Sequence, residues 1–285
     1  MTFNINDPVD VSPRTSFEPT DDGLRFWDSK FTIGSDFTDG HLNSSQKLLA
    51  LHDISKGWQG DAFYAQSNPY VKLGALGNGN RFLEFSGAVT DAGTGHLFNT
   101  DILHGSPAFT VALLHQKSVV PSGSDRHDIL SVSLNDSGSA APILTLNYSG
   151  GTSLTWATSS YDAANSAHDG ITSITQGDGT GGSVDWRFAI ATVNFAAGTI
   201  SLERGTASAS GSNATTLARS GTTFYAPAPN YKGLIGKRNN NPANLYQGRI
   251  HMMPVIPKAL LSTDGGEGAA LKTWLQAKCA ALNAA

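Results

Sequence analysis

The chain alternates between short apolar runs and Gly-, Ser- and Asn-rich gaps. Phe82-Leu83-Glu84-Phe85 alternates with period two, the mark of a strand with one buried face. Phe109-Thr110-Val111-Ala112-Leu113-Leu114 is nearly continuous, so both of its faces are expected to be covered. Ile129 to Leu134, Ile143 to Tyr148 and Leu154 to Ala157 follow at close spacing. Their separators, Asn135-Asp136-Ser137-Gly138 and Ser149-Gly150-Gly151, have the chemistry of turns. In Trp186 to Val193, Trp186, Phe188 and Ile190 share one side, and Ile200 and Leu202 share one side of Thr199 to Glu203. Ala196-Ala197-Gly198 joins these two runs as a hairpin. Leu234-Ile235-Gly236 and Gly248 to Met253 are the last strands, ending before Pro254.

Helical periodicity is confined to two places. Leu271, Trp274, Leu275, Lys278 and Leu282 recur at helical spacing, and Asp264 three residues before Glu267 reads as a capping box. The helix is expected to pack on the strands through Leu271, Trp274 and Leu275. A weaker helix is predicted over Ser44 to His52. Residues 158–183 and 204–223 hold few apolar side chains and read as long surface loops kept for binding or assembly. The pattern as a whole predicts an all-β protein with one late amphipathic helix.

Composition narrows the class. The 285 residues are 39% hydrophobic but only 15% charged, with 31 Gly. That excludes a coiled coil and a charged disordered chain. The formal net charge of −4 argues against nucleic acid as a partner. No apolar run approaches the ~20 residues of a membrane span, so no membrane partner is expected. One cysteine, Cys279, excludes an intrachain disulfide and a multi-cysteine zinc site. The first residues show neither a basic segment nor an apolar one, so the expected setting is a reducing cytoplasm or export without a signal peptide.

Residues 1–22 read as an extended arm with Pro8, Pro13 and Pro19, and residues 23–285 as one domain. Charge is uneven along the chain. Residues 1–40 carry eight acids against three bases, whereas residues 204–263 carry seven bases and no acid. Opposite potentials steer and register partners. One reading is therefore that the acidic arm, with Asp7 and Asp10, meets the basic segment of a neighbouring subunit, with Lys237 and Arg238. The plainer reading is two solvated faces.

The order of these pieces resembles the LamG-like, concanavalin A-like lectin superfamily. The resemblance rests on Tyr246-Gln247-Gly248-Arg249-Ile250-His251-Met252-Met253, then Pro257-Lys258-Ala259-Leu260-Leu261-Ser262, then the helix with Trp274 and Leu275. Gly233-Leu234-Ile235-Gly236, the Trp186–Glu203 hairpin and Phe109 to Leu114 look like earlier strands of that family. Gly23 to Asp28 and Asn80 to Gly87 look like its opening segments. The chain departs from the family at Glu203-Arg204-Gly205 and at the inserted Gly265-Gly266. The resemblance implies a two-sheet antiparallel jelly-roll β-sandwich with a C-terminal amphipathic helix.

The superfamily includes glycan binders, lyases and glycosidases. Glycoside hydrolysis needs two facing carboxylates. No strand carries such a pair: Glu84 and Glu203 stand alone and read as outward, solvated acids. The lyase motifs of the family find only faint echoes in Ile250-His251 and Tyr231-Lys232-Gly233. Gly177 to Gly182 fits a phosphate-loop spacing but precedes a strand and not a helix, and so reads as a plain loop. Asp125-Arg126-His127-Asp128 reads as a turn, with a bound cation as the alternative. No catalytic residue, metal site or cofactor is assigned. Aromatic platforms for a glycan are sought at Trp58, Tyr64, Tyr161 and Tyr225, beside the plainer reading of each as a loop anchor. The expected function is a non-enzymatic structural or adhesion module of a larger assembly, a phage virion component with glycan binding and homo-oligomeric or capsid and tail partners. The alternative is a polysaccharide-active enzyme on the same fold.

Overall fold

A computed structural model describes residues 17–20, 23–26, 31–34, 50–52, 62–64, 71–77, 80–86, 96–98, 105–118, 126–134, 142–149, 151–162, 167–177, 185–218, 223–224, 231–236 and 245–285. In chain order the first strands are β1 (Phe17–Thr20), β2 (Gly23–Phe26), β3 (Phe31–Gly34), β4 (Ala50–His52), β5 (Ala62–Tyr64), β6 (Val71–Ala75), β7 (Arg81–Ser86) and β8 (His96–Phe98). The body follows as β9 (Ala108–Lys117), β10 (Arg126–Leu134), β11 (Pro142–Ser149), β12 (Ser153–Asp162), β13 (Ala167–Gln176), β14 (Arg187–Asn194), β15 (Thr199–Gly205) and β16 (Ser210–Thr216). The chain ends with β17 (Tyr231–Ile235), β18 (Gln247–Ile256) and the helix α1 (Gly266–Asn283).

Two antiparallel sheets make the sandwich. One has six strands in the order β13-β12-β11-β10-β17-β8. The other has eight, in the order β16-β15-β14-β9-β18-β7-β6, with β3 also paired to β18. β18 takes β7 along Gln247–Ile250 and β3 along Met252–Val255. β1 and β2 form a separate hairpin that spans the compositional boundary between residues 22 and 23.

The eight-stranded sheet is covered on both sides, which is why its central strands read as continuous apolar runs. Phe109, Val111 and Leu113 of β9, with Ala189, Ala191 and Val193 of β14, face the six-stranded sheet. There they meet Leu130, Val132, Leu144, Leu146, Leu154, Trp156, Ile174 and Ile235. Trp156 closes this core with its Nε1–H, which donates to Thr192 O across the sheets at 3.2 Å. Burial of each large aliphatic or aromatic side chain is worth about 1.5–3 kcal/mol.

The alternate residues, Ala112, Leu114, Phe188, Ile190, Met252 and Ile256, face outward and meet Leu271, Leu275 and Cys279 of α1. Trp186 joins Phe82 and Leu282 beside them. Trp186, Phe188 and Ile190 thus share a side as expected, and that side faces the helix. The helix stripe is Leu271, Leu275, Cys279 and Leu282, all buried, whereas Trp274 is only half-buried, with Lys278 Nζ 5.7 Å from its ring centre.

Several sequence expectations are corrected. Ala50–His52, the end of the weaker predicted helix, is strand β4, held by pairing with Ala62–Tyr64. The stretches read as loops hold strands: β12 runs to Asp162, β13 covers 167–176 and β16 covers 210–216. β13 and β16 are edge strands, and β16 buries neither face, so apolar alternation is absent there. β18 continues through Pro254 to Ile256. The capping box does not form. The N-cap is Gly265 at φ 70°, it makes no side-chain hydrogen bond, and Glu267 pairs with Lys258 at 2.6 Å. Arg126, His127 and Asp128 begin β10 and do not form a turn.

Candidate functional site

Where α1 stops covering the eight-stranded sheet, a cavity of about 330 Å³ opens. Its floor and one wall come from β14, β15 and β16, at one edge of that sheet. The register sets Ile190 opposite Glu203 and Glu203 opposite Ser212, while Ser201 lies opposite Ala214. Side chains two apart on a strand share a face. Thr199, Ser201 and Glu203 are therefore presented together. The other wall is the segment before α1, Leu260-Leu261-Ser262-Thr263, and Asn213 completes the lining.

Two threonines fix that wall. Thr110 Oγ1 accepts from Leu260 N–H at 2.9 Å and donates to Lys258 O at 2.7 Å. Thr192 Oγ1 donates to Leu260 O at 2.9 Å. In both cases a hydroxyl on the outer face of a central strand captures main-chain groups that lack a ladder partner. Gly268 then lets α1 approach, because a Cβ there would overlap the main chain of Leu261.

Glu203 is buried and fully engaged, not outward and solvated. Lys272 Nζ of α1 lies 2.6 Å from Oε1, and Ser262 Oγ donates to Oε2. Burial by itself pushes this carboxyl up. Hydrogen bonds from Lys272, Ser262 and Ser210, with the charge of Lys272, outweigh burial and hold it below the ordinary value. The carboxylate ties strand, linker and helix together at the cavity rim. Glu84 is also paired, with Arg249 Nε at 3.1 Å, and the Arg249 guanidinium lies 4.6 Å from the Phe82 ring centre.

The resulting chamber presents hydroxyls from Thr199, Ser201, Ser212, Ser262 and Thr263 above apolar Ile190, Ala214, Leu260 and Leu261. Among the described residues its one acid, Glu203, is committed to internal partners, and no cation lines it. Such a surface suits a ligand that offers many hydroxyls and some C–H area.

A second polar cluster sits between the sheets. Arg204 Nη2 donates to Tyr148 Oη at 3.0 Å and Nη1 to Thr152 O at 2.5 Å. Tyr148 Oη lies 3.3 Å from His115 Nδ1, and Lys117 Nζ is 5.3 Å from the Tyr148 ring centre. All four side chains are closed to solvent, so this cluster belongs to the core.

The sequence-derived sites fare unevenly. Trp58 and Tyr225 lie outside the described residues, as do Asp7, Asp10, Lys237 and Arg238. Tyr64 is in β5, which lies against β8, and Tyr161 is in β12 opposite His168. β8 and β12 are separated by β17, β10 and β11, so Tyr64, in the separate β4-β5 pair beside β8, and Tyr161 lie toward opposite ends of the six-stranded sheet. The two lyase echoes fall on different sheets, His251 in β18 and Tyr231-Lys232-Gly233 in β17. Of the seven bases in 204–263, Arg204 is internal, Arg249 binds Glu84 and Lys258 binds Glu267. Among the described residues no group of three or more His, Cys, Asp or Glu is placed to hold a metal. The cavity itself was missed. Its hydroxyls come from segments low in apolar residues, and only their pairing shows that they converge.

No family model matches the chain, and no curated protein matches it. Solved structures do. The binding domain of botulinum neurotoxin serotype D/C aligns over 87% of this chain and 52% of its own, at 12% identity and a TM-score of 0.53. The serotype C1 binding domain gives 13% identity, the same coverage and a TM-score of 0.53. The chain spans about half the length of these domains. The CBM40 of Ruminococcus gnavus IT-sialidase, bound to α2,6-sialyllactose, aligns over 64% of this chain and 93% of its own at 11% identity, with a TM-score of 0.43. The toxin domains share the two-sheet β-sandwich fold of this chain.

Proposed function

We propose that the protein is a non-catalytic carbohydrate-binding module and that an uncharged sugar seats in the cavity between β15, β16 and Leu260–Thr263. The observation that carries this reading is the lining: among the described residues, five hydroxyls over an apolar floor, with the one carboxylate already paired with Lys272. Sugar hydroxyls pair with such groups while the C–H face rests on Ile190, Ala214 and Leu260. Hydrolysis of a glycosidic bond needs a second carboxylate about 5–9.5 Å from the first, and Glu203 is the cavity's one acid. A carboxylated sugar would meet Glu203 with no cation on the lining to receive it. The toxin modules that share the fold are binding domains, and the same role is carried over here.

A glycan array followed by calorimetry tests the reading. Neutral saccharides are expected to bind, and Ser212→Val with Ser201→Val is expected to weaken the best of them about tenfold or more. Binding only of sialylated or uronate glycans, or binding untouched by the double variant, would reject the assignment. Release of reducing ends from any array ligand would reject the non-catalytic part. We also place the module in a larger assembly, a virion in the finer form of this reading. That placement rests on the opposed charges of residues 1–40 and 204–263, and deletion of residues 2–20 without effect on assembly removes it.

A further inference from the structure

Among the described residues the larger sheet ends in β16, β6 and the four-residue β3, which pairs only with β18, and the smaller ends in β13 and β8. Edge strands invite pairing with other chains, and proteins usually guard them with charge or proline. β6 carries Lys72, β8 carries His96 and β13 carries His168 and Asp169. β3, Phe31-Thr32-Ile33-Gly34, carries neither but is only four residues long, itself a guard, whereas β16, Ser210-Gly211-Ser212-Asn213-Ala214-Thr215-Thr216, is seven residues long with no ionisable residue and no proline. Six of its seven side chains are exposed.

Its open hydrogen-bonding groups can be assigned. At one end of the hairpin Thr206 N–H donates to Ala209 O, and at the other Leu217 N–H donates to Gly198 O. Antiparallel pairs alternate between bonded and non-bonded. With the register Gly205↔Ser210 through Thr199↔Thr216, the bonded pairs are Arg204↔Gly211, Leu202↔Asn213 and Ile200↔Thr215. The N–H and C=O groups of Ser210, Ser212, Ala214 and Thr216 therefore point away from β15, and of these the Ala214 N–H donates locally to Asn213 Oδ1 at 3.0 Å.

We propose that β16 pairs with β16 of a second copy of this chain, antiparallel about a twofold axis at Asn213, joining two eight-stranded sheets into one. In that register Ser210 faces Thr216 of the second copy, and Ser212 faces Ala214. Once the Ala214 N–H exchanges Asn213 Oδ1 for the second copy, the outward donors and acceptors meet in about eight ladder bonds, and every facing side chain is small and uncharged. A foreign peptide is the poorer occupant, since strand addition draws its specificity from pockets for alternate side chains, and the Ser, Ala and Thr of β16 offer none. Ser212, Asn213 and Ala214 also line the cavity, so the added strand, about 4.8 Å away, brings the two cavities side by side. The pairing itself does not depend on what the cavity binds.

Light scattering on eluting full-length protein, across a roughly hundredfold concentration range, tests the proposal. The expected mass is twice the 29.9 kDa of one chain. Ala214→Pro removes an outward N–H without touching the ladder to β15, and Ser210→Lys with Thr216→Lys sets like charges opposite each other. Both are expected to elute at single-chain mass with an unchanged circular-dichroism spectrum. Should Ala214→Pro lose its fold, the lysine variant, whose two sites are exposed, decides. A wild-type protein of single-chain mass at every concentration overturns the proposal, as does a dimer that persists in the folded lysine variant.

Discussion

Glu203→Gln is the sharpest probe of how the helix, the linker and the sheet edge are held together. The substitution keeps the shape and removes the charge that receives Lys272 and Ser262. A fully buried ion pair that loses one partner costs about 3–5 kcal/mol, and an exposed pair about 0–1 kcal/mol. The Glu203 side chain is 7% exposed and that of Lys272 is 30%. The lysine can rehydrate, so the expected loss is intermediate, about 1.5–2.5 kcal/mol at pH 7. The pH dependence has a definite sign. Although burial pushes the carboxyl up, its hydrogen bonds hold the folded value below the ordinary one. The unfolded chain therefore binds the proton more readily, and stability rises with pH. The contribution is complete above the unfolded value of about 4.3 and is lost as pH falls through the folded value. Urea unfolding of the wild type, Glu203→Gln, Lys272→Met and the double variant at pH 7 and at acid pH measures both effects. The wild type is expected to lose its advantage over Glu203→Gln in acid, and the cycle at pH 7 to give about 1 kcal/mol of coupling. A difference below about 0.5 kcal/mol at pH 7, or one that is the same at both pH values, refutes the argument.

Two further outcomes follow from the third layer of the fold. Leu275→Ala, in the buried helix stripe, is expected to cost about 2–5 kcal/mol, while Trp274→Ala, half-buried, costs less; thermal unfolding of the pair ranks them, and the reverse order contradicts the packing. Cys279 is buried and its thiol is pushed up to about 12, chiefly by burial; a thiol reagent at pH 8 is expected to label it only after denaturation, and rapid labelling of the folded protein would show the helix interface open.

Most strands were legible because burial imposes a rhythm on the chain. Phe109–Leu114 is continuous because sheet and helix cover opposite faces, Leu271, Leu275 and Leu282 keep helical spacing, and Phe82–Phe85, expected to bury one face, buries Leu83 and Phe85 between the sheets and Phe82 on the other side against Trp186 and Leu282. β13 and β16 were not legible. An exposed edge strand buries too little to need apolar residues, so 167–176 and 210–216 read as loops until their partners are seen. The helix start was misread for a similar local reason, since Asp264 and Glu267 have capping spacing but Gly265 and Gly266 take positive φ and turn the chain before the cap can close.

What the amino-acid order determines on its own is therefore the class: many short strands and a terminal helix. Those features depend on neighbours in sequence and on periodic burial. What Glu203 does, where Arg204 goes and which hydroxyls share a cavity depend on residues brought together from far along the chain. Glu203 meets Ser262 and Lys272, and Arg204 meets Tyr148. A polar side chain looks the same in the sequence whether water or a buried partner receives it. Only the register of β14, β15 and β16 and the docking of α1 decide which.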